Sequence, residues 1–137
     1  MEKEKQQLNK IAKKYNLKLL LLFGSQTDKE SLHQESDFDI AYLSQKELDI
    51  QKQVQLNCDL MKIFNSDKID MVNLKKANPL LRYEIAKKNE LLFGNMLDFL
   101  EFKARAFRIY VESESLFNLE NRLIKRRQKL LEQSIYD

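Results

Sequence analysis

The stretch Leu17-Lys18-Leu19-Leu20-Leu21-Leu22-Phe23 is apolar at every position but Lys18, and it stops at Gly24. It shows no alternation of apolar and polar residues, so it reads as a strand covered on both faces. Such a strand sits in a sheet that carries helices on its two sides. The flanking sequence supplies them. Leu8, Ile11, Ala12 and Tyr15 follow helical spacing, predicting an amphipathic helix that ends near Asn16. Asp37 to Leu43 reads as a second strand, and Ser44-Gln45-Lys46-Glu47 matches a capping box. The helix behind that box should reach about Asn65, with Ile50, Val54, Met61 and Phe64 on one face. Lys68 to Leu74 predicts a third strand. Asn78-Pro79 is an N-cap and first-turn pair for a helix to about Lys88, and Glu90 to Phe93 predicts a short extra strand before Gly94.

From Asn95 onward the chain has no glycine or proline. Leu97, Leu100, Ala104, Phe107 and Val111 repeat at 3, 4, 3 and 4 residues, and the phase then shifts to Leu116, Leu123, Leu130 and to Phe117, Ile124, Leu131. This predicts one long helix with a break or kink near Ser113 to Ser115, or two helices, whose apolar seams complete the core or pack on a partner. The expected architecture is α/β (α+β), a small mixed β-sheet flanked by helices. A core over residues 1–94 carries a helical C-terminal extension over 95–137, within one domain.

Composition narrows the chemistry. Of 137 residues, 43% are hydrophobic and 33% charged, the balance of a folded soluble domain. No apolar run reaches the roughly 20 residues that span a bilayer, and the charged MEKEKQQLNK start is unlike a secretory signal. The single Cys58 excludes an intrachain disulfide and fits a cytoplasmic location. One cysteine and one histidine argue against a zinc site, so a metal here would be a hard cation held by carboxylates. The net charge of +3 does not by itself indicate nucleic-acid binding.

The candidate chemistry lies around Gly24. Gly24 and Ser25 stand where an apolar strand gives way to a polar segment, and a glycine there permits a sharp turn and close approach of a ligand. If Ser25 opens a helix, its hydroxyl and the free N–H groups form an anion site; a plain turn is the alternative. Asp37 and Asp39 lie two apart on a strand, so both project from one face. They are either solvated acids or a pair bridged by magnesium, which takes one or two carboxylates plus phosphate oxygens. Asp70 falls mid-strand in KIDMVNL, and a neighbouring strand, parallel or antiparallel, can bring it beside that pair. Three strand acids behind a Gly-Ser turn suit two-metal phosphoryl or nucleotidyl transfer. Arg82, on the helix after strand three, is a candidate phosphate contact or an exposed helix residue. His33 is a loop residue within reach of a nucleotide or simply solvated. The run Arg122, Lys125, Arg126, Arg127, Lys129 is a solvated helix face or a surface for RNA or an acidic partner.

Gly24-Ser25, an eleven-residue gap, Asp37-Phe38-Asp39 and a later Asp70 together resemble the nucleotidyltransferase fold of the polymerase-β superfamily. The small size and the stretch KIDMVNLKKANPLLRYEIAKKNELLF are similar to minimal nucleotidyltransferases (MNT proteins), over roughly residues 5 to 95. Among these, the chain looks like the MNT antitoxins paired with HEPN toxins. The resemblance implies AMP transfer from ATP to a tyrosine of a cognate HEPN RNase toxin, with two Mg2+ ions. It implies that Gly24 and Ser25 hold phosphates, that Asp37 and Asp39 bind magnesium, and that Asp70 is the third carboxylate. A homo- or hetero-oligomer fits this reading; a membrane role or nucleic acid as direct substrate does not. Gln26-Thr27-Asp28-Lys29 stand where many relatives carry Arg-Ala-Arg-Gly, which removes two positive charges near the triphosphate. That departure keeps a second reading open, an antitoxin that acts by binding alone. A third is a transferase with a small-molecule or RNA acceptor.

Overall fold

The computed structural model describes residues 2–24 and 38–136. Helix α1 (Glu2–Lys14) leads into strand β1 (Leu17–Phe23), and β2 (Phe38–Ser44) follows. Then come α2 (Ile50–Phe64), β3 (Ile69–Asn73), α3 (Pro79–Lys87), β4 (Asn89–Phe93) and α4 (Met96–Tyr136). The four strands form one mixed sheet in the order β3-β2-β1-β4. β1 runs antiparallel to both of its neighbours, and β2 pairs with β3 in parallel.

The central place of β1 explains its unbroken apolar sequence. Leu19, Leu20 and Leu21 are fully buried. Leu20 and Leu22 face a core shared with Leu8, Ile11 and Ala12 of α1 and Leu56 and Leu60 of α2. Leu21 faces the other side, with Ala41, Leu74 and Ile85, where Phe99 and Phe102 of α4 close the layer. The sheet therefore has α1 and α2 on one face and α3 and α4 on the other.

Local signals fix the ends of several elements. Glu2 and Glu4 in the first turn of α1 and Lys13 and Lys14 in its last complement the helix dipole. Asn16 then takes a left-handed conformation, φ 53°, that reverses the chain into β1. Tyr15 Oη donates to Asp59 Oδ2 at 2.7 Å, which ties α1 to α2. Burial, and then this bond, hold the Tyr15 phenol above its ordinary range. Asn78 caps α3 by accepting from the Leu81 N–H at 2.8 Å, with Pro79 in the first turn as expected. Asn78→Ala is expected to lower unfolding stability by about 1 kcal/mol, the usual worth of an N-cap, measured by urea denaturation.

Three expectations are corrected. The predicted capping box does not form: Ser44 still belongs to β2, and Glu47 pairs with Lys76 at 2.6 Å. Leu48 is buried first, and Asp49 is the cap, accepting from the Lys52 N–H at 2.7 Å. On α2 the buried residues are Leu56 and Leu60; of the expected face, Met61 and Phe64 pack against the same core, while Ile50 and Val54 are exposed. Periodicity predicted the helix and half of the face that meets the core. The C-terminal segment is one continuous helix with no break at Ser113 to Ser115. Its Leu97, Leu100 and Val111 point outward, and Phe99, Phe102 and Ala106 face inward instead. Tyr83 of α3 stacks on Tyr110 with ring centroids 4.0 Å apart, locking the first half of α4 in place. No helix among the described residues is long and apolar enough to cross a membrane.

Candidate active site

Where β1 ends and β2 and β3 begin, the register lines up one row of residues across the sheet. Phe23 pairs with Asn89 on one side and with Asp39 on the other, and Asp39 pairs with Asp70. Paired residues on adjacent strands project from the same face. Ala41 and Val72, two positions along from Asp39 and Asp70, pack in the layer under α3 and α4, so both acids belong to that face. Asp39 is half-buried and Asp70 is exposed. The parallel pairing of β2 with β3 thus puts two acids that are 31 positions apart in sequence side by side.

Gly24 closes this corner. Its φ of +80° lies in the region that side chains disfavour. A Cβ there would overlap Asp39 Oδ2 and stand 3.1 Å from Asp39 Cγ. The turn and the carboxylate are therefore built against one another, and only a residue without a side chain fits between them. Asn89, at the other end of the row, is occupied structurally: its Nδ2 donates to the Ile85 and Ala86 carbonyls and closes the end of α3.

Ser25 and Asp37 lie outside the described residues, as do His33 and the segment from Gln26 to Lys29. Arg82 is described, and it is not brought to the acids. Its Nη2 donates to the Lys75 carbonyl, beyond the far end of β3. There it lines a cavity of about 300 Å³ with Lys18, Leu74, Glu101 and Arg105, and its Nε is buried with no hydrogen-bond partner among the described residues. The reason is topological. α3 starts where β3 ends, so a residue in its first turns stands at the opposite end of the sheet from Asp70. That Lys18 and Arg105 line the same cavity had no local sequence signal.

Among the described residues the donors fit a hard divalent cation: two carboxylates on adjacent strands and a face open at Asp70. Among the described residues no group of three or more metal-ligating side chains occurs, and Asp37, the other acid of the expected Asp37/Asp39 pair, lies outside them.

The comparisons with known proteins concern the fold and the family. No curated protein matches the chain. Several solved structures share its fold. A chain of a toxin–antitoxin complex with AMP-PNP superposes with a TM-score of 0.69 at 24% identity, covering 87% of this chain and 98% of that one. A tri-AMPylated Shewanella oneidensis HEPN toxin in complex with an MNT antitoxin contains a chain similar at TM-score 0.65 and 22% identity, covering 89% and 98%. A chain of the toxin–antitoxin MntA-HepT matches with TM-score 0.64 and 23% identity, covering 90% and 99%. The model of the family described as "Polymerase beta, Nucleotidyltransferase" matches residues 6–96, which include Gly24, Asp39 and Asp70. The chain therefore belongs to the polymerase-β nucleotidyltransferase family.

Proposed function

We propose that the chain is the MNT antitoxin of a HEPN toxin and acts as a protein adenylyltransferase, moving AMP from ATP to a tyrosine of that toxin. The observation that carries this reading is the pairing of Asp39 with Asp70 beside the Gly24 turn. The AMP-PNP complex and the tri-AMPylated toxin among the similar structures support ATP as donor and a toxin as acceptor.

In this reading the backbone at Gly24 and the Ser25 hydroxyl hold the triphosphate, and Asp37, Asp39 and Asp70 hold magnesium. When bound, magnesium neutralises phosphate charge. Asp70, the more open acid, takes the proton of the tyrosine hydroxyl. The tyrosine oxygen bonds to the α-phosphorus as the bond to the departing pyrophosphate breaks. Most of the acceleration in such a transfer comes from alignment and from charge compensation at the phosphates.

A second reading follows from Gln26-Thr27-Asp28-Lys29, which lacks the two arginines of many relatives: neutralisation by binding alone. One experiment separates them. The protein is incubated with MgATP and its cognate toxin, and the toxin is weighed intact by mass spectrometry. AMP increments on toxin tyrosine support the transferase. A tight complex with unmodified toxin supports the binding antitoxin. Neither outcome would direct the search to a small-molecule or RNA acceptor.

A further inference from the structure

The outer half of α4 is left uncovered by the other described residues. Every side chain from residue 114 to residue 134 is exposed. Yet Leu116, Phe117, Leu123, Ile124, Leu130 and Leu131 recur there at heptad spacing and keep between 54% and 65% of their surface open. On a helix these positions fall on one face. A helix that carries such a stripe gains most of its stability by packing that face against something.

Two charges lie in the middle of the stripe. Glu120 sits between the first and second apolar pairs, and Arg127 sits between the second and third. Arg122, Lys125 and Lys129 fall on the opposite face of the helix. Read along the axis, the stripe is apolar pair, acid, apolar pair, base, apolar pair. Read backwards, it has the same apolar order with acid and base exchanged. A surface of this kind complements a reversed copy of itself.

We propose that the outer half of α4 is a self-association surface, on which two copies of this chain pack their helices antiparallel about a two-fold axis between Leu123 and Ile124. That axis sets Leu116 against Leu131 of the second copy, Phe117 against Leu130, and Leu123 against Ile124. Glu120 meets Arg127 of the second copy, and the same pair recurs on the other side of the axis, as an isologous contact requires. A parallel arrangement would set Glu120 against Glu120 and Arg127 against Arg127, so the charges select the antiparallel one. They cannot satisfy each other within one helix, because seven residues separate their Cα atoms by about 10 Å along the axis. The surface lies outside the segment matched by the family model, which ends at residue 96. It is therefore independent of the proposed transfer chemistry.

The test is sedimentation equilibrium of the full chain without toxin, over a range of concentrations. The expected result is a monomer–dimer equilibrium. Glu120→Arg places like charges together at both ends of the contact and should raise the dissociation constant by about tenfold or more. Arg127→Glu should do the same. The double variant Glu120→Arg/Arg127→Glu exchanges acid and base and should restore dimerisation. Both positions are exposed in the helix, so circular dichroism should stay unchanged. A chain that is monomeric at every concentration would overturn the proposal, even if the stripe then captures the HEPN toxin. So would a dimer insensitive to Glu120→Arg, or a double variant as weak as the single ones.

Discussion

Asp39→Asn is expected to lower AMP transfer to the toxin by about a hundredfold or more, while leaving the thermal melt of the protein close to that of the parent. Asparagine keeps the shape of the side chain against Gly24, so the corner where β1 meets β2 should keep its packing. What it removes is the negative charge that stands beside Asp70 across the sheet and, in the proposed chemistry, meets the cation on the phosphates. The measurement is the initial rate of toxin modification by intact mass at saturating MgATP, with a parallel unfolding curve. Transfer at the parent rate would remove Asp39 from the site and, with it, the proposed mechanism. A toxin that stays neutralised by the unmodified complex, with no transfer even from the parent, would instead favour the binding antitoxin.

Gly24→Ala carries the second large effect, and it acts on fold and site together. The left-handed backbone costs a side chain about 1–3 kcal/mol, which for a chain of this size corresponds to a loss of about 3–10 °C in melting temperature. The added methyl group would also overlap the Asp39 carboxylate, so that group must move. Displacing a catalytic group by an ångström commonly costs up to about a hundredfold in rate. Gly94→Ala serves as the comparison. Gly94 also has a positive φ, 134°, but its Cβ would meet Leu19 Cδ2 and the Lys18 carbonyl, away from the acids. Gly94→Ala should therefore destabilise while leaving the transfer rate per folded molecule intact. If Gly24→Ala and Gly94→Ala lose stability alike and both keep full transfer, Gly24 is a turn residue and nothing more.

Much of this fold was legible in the sequence, because its strongest signals are local. The buried run of β1, the positive-φ stop at Asn16, and the Asn78-Pro79 start of α3 each rest on a few adjacent residues. The continuity of α4 was missed: the phase shift of its apolar seams predicted a break near Ser113 to Ser115, although no glycine or proline stands there to make one. The choice of face was only partly legible. Both α2 and α4 carry two apolar stripes at helical spacing, and only contact with the sheet decides that Leu56 and Leu60, or Phe99 and Phe102, turn inward. The position of Arg82 was not legible for a similar reason, since it depends on the direction in which α3 leaves the end of β3.

The acids divide in the same way. Their residue types, and the glycine that makes room beside them, were determined by the sequence alone. That Asp70 stands next to Asp39, and not one strand further off or on the opposite face, was decided by the parallel register of β2 with β3. A shift of one residue in that register would send every side chain of β3 to the other face of the sheet. What holds the register is burial on both sides: Ile69 and Met71 in one core, and Val72 with the following Leu74 in the other. Those contacts join residues far apart in the chain, so no local pattern encodes them. They exist only once the layers have packed.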